Sequence, residues 1–353
     1  MLGALLILGG CSESVERLVA RAEALHDAGN FPAAVIELKA ALAKDPKNLP
    51  ARLLTAQIYI DLGEGNSALG SLLRAQRDGA SNRQVARPRA EAELVAHRYD
   101  AVIRDTEAPP AGLSSRAKAS LFAYRGAALA ALGREVEARS AIARGLAVDP
   151  HSVDVRIAST RLAIDRSDLA AARRELADAT RDAPKDRRLA QLRGDIAYAA
   201  RDYAAAEQIY RKILDAEPWN DVVRGELGSV QVAENKLPAA IATVDKILKD
   251  PRLANVPMHP ILNYIRAVAA FRQKDFETAQ SNAATVVTRV PGFGSTWLIA
   301  GASSYALHQY EQAYYYLSPF VAQNPRDLRA RKLLAETQLQ LGRPGDAAKT
   351  LLP

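Results

Sequence analysis

Residues 187–220, RRLAQLRGDIAYAARDYAAAEQIYRKILDAEPWN, decide how the chain folds. Apolar residues recur at helical spacing in two runs, which predicts helices over about residues 187–200 and 204–217. The second run stops at Pro218, which has no N–H to give to an i→i−4 hydrogen bond. Gly194 and Ala206 are small where two antiparallel helices must approach closely, and Tyr203 plugs the turn between them. Counted from Arg187, the pattern is a small residue at position 8, an aromatic or apolar one at 17, Ala at 20 and Pro at 32.

The same frame tiles the chain at 15–48, 49–82, 119–152, 153–186, 187–220, 221–254, 260–293, 294–327 and 328–353. Position 20 is Ala34, Ala68, Ala138, Ala172, Ala206, Ala240, Ala279, Ala313 and Ala347. One alanine in an Ala-rich chain means little, but nine in register do not arise by composition. Position 8 is Ala or Gly in every frame except Thr160, and prolines fall at position 32 as Pro46, Pro150, Pro184, Pro218, Pro291 and Pro325. Positions 8 and 20 are expected to face each other inside a hairpin, so a larger residue would push the helices apart. This period resembles the tetratricopeptide repeat (TPR) and implies an all-α, right-handed superhelical solenoid of about ten helix hairpins. Residues 83–118 read as a degenerate copy, with Ala90 and Tyr99 in frame ahead of a loop at Pro109, Pro110 and Gly112. Residues 255–259, NVPMH, are an insertion between two good repeats.

In a chain of 353 residues, such a solenoid buries its core between neighbours and needs no single centre. No alternating β-branched run is long enough to propose a sheet. The formal net charge is +7, but arginines are scattered and interleaved with Asp and Glu, as a solvated mixed face requires. No concentrated basic stripe or reading motif points to nucleic acid.

Residues 2–8 form a short apolar run, too short to span a bilayer, where about 20 residues are needed. It suits a secretory signal and ends in Leu8-Gly9-Gly10-Cys11, which looks like a bacterial lipobox. Residues 1–11 are therefore read as a lipoprotein signal segment, with Cys11 the lipidated thiol and residues 12–353 the solenoid. Cys11 is the one cysteine, so no intramolecular disulfide can form. No Lys or Arg precedes the apolar run, a departure from the signal pattern that implies a native start upstream of Met1 or a clipped chain. Ser12 rather than Asp after the cysteine favours the outer membrane. At the other end the last repeat stops at Pro353, partway through its second helix, which implies a fragment of a longer protein or an end that pairs with something.

Catalytic signals are lacking. His26, His97, His151, His259 and His308 are far apart, and none forms a metal-ligand spacing. No GxSxG, P-loop or GxGxxG occurs, and Gly292-Phe293-Gly294 reads as an inter-repeat turn. The reading is no enzyme, no cofactor and no metal. Binding is better supported. In a superhelix of this type the first helix of each repeat lines the concave groove through positions 2, 5, 9, 12 and 13. That rule nominates Arg161, Gln191, Asp195, Tyr198, Tyr264, Phe271, Arg272 and Tyr305. Aromatic rings there could hold a peptide or stack on sugars, or pack against the neighbouring repeat. Position 5 is Lys only at Lys332, whose position-9 partner is Glu336, so a chaperone carboxylate clamp is not expected.

AAVIELKAALAKDPKN (33–48), AFRQKDFETAQ (270–280) and YEQAYYYLSPFVAQNPRDLRARKLLAETQLQLGRP (310–344), with the lipobox, resemble the TPR-repeat lipoproteins of the PEP-CTERM/exosortase system. The resemblance implies a periplasm-facing, lipid-anchored scaffold in the bacterial cell envelope, at the outer membrane. Its partners would be proteins of exopolysaccharide assembly and the linked sorting of exported proteins, and it transfers only Cys11 as a functional position. Two alternatives stay open: a TPR lipoprotein that assists porin or secretin assembly, and a carbohydrate-binding solenoid that holds nascent polymer.

Overall fold

The computed structural model describes residues 13–250 and 259–352; Cys11, most of the 255–259 insertion and Pro353 lie outside them. Twenty α-helices, and no strand among the described residues, follow one another as antiparallel hairpins. The first two pairs are α1 (Val15–Asp27) with α2 (Phe31–Lys44), and α3 (Leu49–Asp61) with α4 (Gly65–Arg77). Next come α5 (Asn82–Val95) with the short α6 (Tyr99–Asp105), and α7 (Ser115–Ala131) with α8 (Glu135–Val148). The middle pairs are α9 (Val153–Asp165) with α10 (Leu169–Asp182), and α11 (Arg187–Ala199) with α12 (Tyr203–Ala216). They are followed by α13 (Asp221–Ala233) with α14 (Leu237–Leu248), and α15 (Ile261–Arg272) with α16 (Phe276–Arg289). The chain closes with α17 (Gly294–Ala306) and α18 (Tyr310–Gln323), then α19 (Leu328–Gln340) and α20 (Pro344–Leu351). Each helix packs on the next, and alternate first helices such as α7 and α9 or α13 and α15 also touch, so the hairpins stack as a solenoid.

Local chemistry sets the boundaries. The side chains of Asn48, Ser152, Asp186, Asn220 and Asp327 cap first helices, and those of Asp168, Asp202 and Asp275 cap second helices. The helices α2, α8, α10, α12, α16 and α18 each end two residues before a position-32 proline. Between the two helices of every hairpin one residue turns left-handed: Gly29, Gly63, His97, Gly133, Ser167, Arg201, Asn235, Lys274, His308 and Gly342 all have φ between 57° and 75°. The position-20 alanines are at most 2 % exposed.

The position-8 residue, however, does not chiefly face position 20. A Cβ on Gly194 would lie 2.4 Å from the Tyr210 ring, on Gly126 2.9 Å from Ile142, and on Gly301 2.6 Å from Leu317. In these three the partner is position 24, one turn further along the second helix; at Gly228 the nearest is Ile265 of the next hairpin, at 2.7 Å. The buried alanine at 20 lets the helices approach closely enough for that contact.

The stack also curls back on itself. Turns of the first three hairpins sit on inter-repeat loops far along the chain. Gly29 lies beside Arg187 and Glu217, Gly63 beside His259 and Pro260, and His97 beside Gly292. Nε of Arg289 donates to Glu64 Oε1 at 2.7 Å across 225 residues of sequence. The Arg187 guanidinium lies over the Phe31 ring at 5.1 Å, and His97 stacks on Phe293 at 6.1 Å.

Candidate binding surfaces

Closure of the first superhelical turn encloses a polar chamber of about 480 Å³. Its wall takes Gln57, Asp61, Arg87, Glu91, Ser120, Asp154 and Arg188 from the first helices of five hairpins, with His26, Arg116, Asp186 and Arg187. These fall mostly at positions 2, 5, 9, 12 and 13, so the groove rule describes the chamber even though no residue of it was nominated from the first four repeats.

Many of the chamber's charges are paired, although Nη1 of Arg187 is buried with no hydrogen-bond partner. Arg188 reaches Asp154 and Asp186 at 2.7 Å each, and the Ser120 hydroxyl donates to Asp154 at 2.6 Å. Burial pushes the Asp154 carboxyl up, but the Arg188 charge and the Ser120 hydroxyl outweigh it and hold the pKa below the usual value. His26 Nε2 is 2.7 Å from Asp61, and that hydrogen bond raises the imidazole pKa against the opposing effect of burial. Burial raises Glu91, with Arg87 3.4 Å away. The network is part-buried: Arg188 keeps 43 % of its side chain exposed, whereas Asp154 keeps 11 %, so removing Arg188 leaves a poorly solvated carboxylate behind.

Beyond the closed turn lie most of the residues nominated from sequence. Arg161, Asp195 and the unforeseen Glu226 sit close together. Asp195 accepts from the Tyr210 hydroxyl at 2.7 Å and is raised by burial. Glu226 is pushed up to about 7, first by burial and then by the Asp195 charge, with Arg161 opposing. Tyr198 adjoins this group, and the charge of Arg272 and the phenol of Tyr264 reach it. Arg272 donates to the Val232 carbonyl at 2.8 Å. Gln191 lies apart, in a recess of about 100 Å³ with Phe31, Asp61 and Arg187, beside the closure.

The aromatic nominees are mostly engaged within the fold. Tyr198 packs on Tyr203 at 5.6 Å, Phe271 on Phe276 at 5.7 Å and Tyr305 on Tyr310 at 5.7 Å, each a position-12 ring against the position-17 ring of its own hairpin. Tyr264 packs edge-on against Phe293 at 4.8 Å. Tyr198 is 37 % exposed, whereas Tyr264, Phe271 and Tyr305 are only partly so. Among Tyr314, Tyr315 and Tyr316 the middle ring is 61 % exposed and Tyr316 is buried.

Among the described residues no group of three or more His, Cys, Asp or Glu could hold a metal ion, and no helix is long and apolar enough to cross a membrane. The larger recess on the molecule was not legible in the sequence. It is a cleft of about 610 Å³ on the side of α11 away from the groove, between α10 and α12.

A stack of helix hairpins with small residues at position 8 and alanine at 20 defines a repeat solenoid of the kind that binds other proteins. The family model "Tetratricopeptide repeat" matches residues 25–92, 129–196, 197–255 and 304–353, more than half of the chain, and the chain belongs to that family. No curated protein matches the sequence. Among solved structures, yeast Tom70 is similar at 14% identity and a TM-score of 0.55, with 96% of this chain and 84% of that chain covered. Pseudomonas aeruginosa pilF is 17% identical at a TM-score of 0.43, covering 63% of this chain and 99% of that one. A TPR protein from Parabacteroides merdae is 14% identical at 0.42, covering 82% and 98%. At such identities the likeness to Tom70 shows the fold alone.

Proposed function

We propose that this TPR chain is a lipid-anchored scaffold of the bacterial cell envelope, held at the outer membrane through Cys11 and facing the periplasm. In this reading it gathers proteins of exopolysaccharide biosynthesis and export and of the linked PEP-CTERM sorting system. The observation that carries the reading is the juxtaposition of Leu8-Gly9-Gly10-Cys11 with a solenoid whose first helix begins at Val15. The resemblance of residues 270–280 and 310–344 to the exopolysaccharide-associated TPR lipoproteins supports it. A short apolar segment alone binds membrane weakly. Acyl chains add about 0.8 kcal/mol per buried methylene, enough for firm attachment when more than one is present. TPR proteins are in general scaffolds rather than enzymes, and no residue here nominates a reaction.

The test is intact mass and membrane fractionation of the chain expressed behind its native upstream sequence, beside Cys11→Ser. Acyl mass and outer-membrane recovery in the wild type alone support the proposal. A wild type that stays unmodified and soluble refutes it. The carbohydrate-holding alternative predicts loss of polymer binding in Tyr198→Ala or Tyr264→Ala; the engagement of these rings with Tyr203 and Phe293 favours the protein-scaffold reading over it.

A further inference from the structure

The cleft on the outer side of α11 presents exposed, unpaired cations, whereas Arg87 and Arg188 of the chamber hold carboxylates. Its floor is Leu176, Ile196, Ala197 and Ile209, and Arg173 and Arg193 stand on its rim; Asp202 also lines it, with one carboxylate oxygen accepting from the Ala205 N–H at 3.1 Å. A second recess of about 420 Å³ shares Arg193 and Ile209 with it and continues along α12 past Lys212 and Ile213 to Glu217, which accepts from the Asn220 amide at 2.7 Å. The two therefore make one groove. None of the lining residues falls at a position that faces the concave side. Arg173, Arg193 and Lys212 are exposed, and none has a hydrogen-bond or ion-pair partner among the described residues. Inside the chamber, by contrast, Arg188 and His26 already hold carboxylates at 2.7 Å.

The dimensions suit a helix. From Arg173 to Thr180 the α10 wall runs two helical turns, about 10 Å at 1.5 Å per residue, and the floor is apolar throughout. Apolar contacts down the middle with unpaired cations on both sides select a ligand that is apolar on one face and acidic on the other.

We infer that this groove docks an acidic amphipathic helix of a partner protein. The inference deepens the scaffold reading by assigning a face and a partner chemistry. The apolar face of the partner helix lies on Leu176, Ile196 and Ile209. Its carboxylates meet Arg173 and Arg193 on one stretch and Lys212 on the other. Binding is weakened by salt, because these pairs are solvent-exposed.

The probe is a fluorescein-labelled helical peptide with leucine along one face and glutamate along the other, titrated with the full chain and followed by anisotropy. Its counterpart carries lysine in place of glutamate, and phosphatidylglycerol vesicles form a third arm. The glutamate peptide is expected to bind and the lysine peptide not to. Arg173→Glu with Arg193→Glu should weaken binding by on the order of ten-fold or more, as should Lys212→Glu to a smaller degree. Arg326→Glu, on an exposed loop elsewhere, should leave it unchanged. All four positions are exposed, and circular dichroism melts check that the variants fold. Equal binding of both peptides, wild-type affinity in the double reversal, or vesicle binding in place of peptide binding would overturn the inference. In-cell crosslinking separates it from the broader reading. Protein partners retained in full by the double reversal sink the groove but leave the scaffold; a wild type with no protein partner sinks the scaffold.

Discussion

Gly194→Ala adds a single methyl group to α11, and the structure makes its effect conditional on one neighbour. The new Cβ would lie 2.4 Å from the Tyr210 ring, closer than carbon atoms approach. Tyr210 is fully buried, and its hydroxyl is tethered to Asp195 at 2.7 Å, so the ring has little room to give. Alanine is the better helix former by about 1 kcal/mol. Overpacking opposes that by about 1–3 kcal/mol, and a strained or lost tyrosine–carboxylate bond removes about 1 kcal/mol more. The net expectation is destabilisation of the hairpin by about 1–3 kcal/mol. Five other hairpins carry alanine at the same position, and in two of them, Ala22 with Leu38 and Ala56 with Leu72, the facing residue is leucine and both are buried. In a Tyr210→Leu background, therefore, Gly194→Ala should be neutral or stabilising, which gives a coupling energy of about 2 kcal/mol between the two sites. Repeat arrays open in parts, so the readout is hydrogen exchange of the amides in α11 and α12 by mass spectrometry, with urea melts alongside. Equal effects of Gly194→Ala in both backgrounds would refute the claim that position 8 is kept small by position 24.

Three further outcomes are expected. Glu226 and Asp221 are both pushed up to about 7, with burial the first cause, so the folded state holds protons that the unfolded chain releases near pH 4. Stability should therefore rise as pH falls from 8 to 6, each group contributing up to about 1.4 kcal/mol per unit. His259, held near 4 by burial, opposes this only below about 6.5; Tm at pH 8 and 6, with Glu226→Gln flattening the difference, is the check. Glu64→Gln should leave helix content unchanged while loosening the closed turn, because it removes the carboxylate that Arg289 holds; small-angle scattering would show a larger radius of gyration, and an unchanged radius would count against the closure. Arg201 and Lys274 turn left-handed at φ 59° and 64°, so Arg201→Gly or Lys274→Gly should raise stability by about 0.5–1 kcal/mol, whereas Gly133→Ala should lower it.

Periodicity made the all-helical fold legible, because position 20, the prolines and the small position 8 each report one packing constraint. The left-handed turn was legible only where glycine marks it, at Gly29, Gly63, Gly133 and Gly342; at Arg201, Asn235 and His308 the hairpin geometry imposes the same conformation on residues that do not advertise it. The pairing of position 8 with position 24 was misjudged as 8 with 20, since small residues at both places hide which one sets the limit. The Glu64–Arg289 contact joins residues 225 apart, and no repeat period encodes which turn of a superhelix lands on which. Groove residues were read from the later repeats because aromatics concentrate there, yet Tyr198, Phe271 and Tyr305 serve in part as plugs against position 17. Arg173 is informative only through the apolar cleft beside it, which the repeat period does not encode.

The closed turn bears on where a partner can bind. A ligand entering the chamber must displace pairs such as Arg188–Asp154 and His26–Asp61, and each displaced partner must be matched again in place. These pairs are part-exposed, with 43 % of the Arg188 side chain and 25 % of the Asp61 side chain open to solvent, so a ligand that presents both signs of charge at matching sites gains most from that exchange. A ligand on the outer groove meets Arg173, Arg193 and Lys212 already exposed and unpaired, and the apolar floor adds about 25 cal/mol for each Å² of ligand surface it covers. The charge inventory alone therefore divides the molecule. The pairs Arg188–Asp154 and His26–Asp61 join neighbouring hairpins and so fix their stacking, while the groove outside α11 is the surface on which a partner disrupts least.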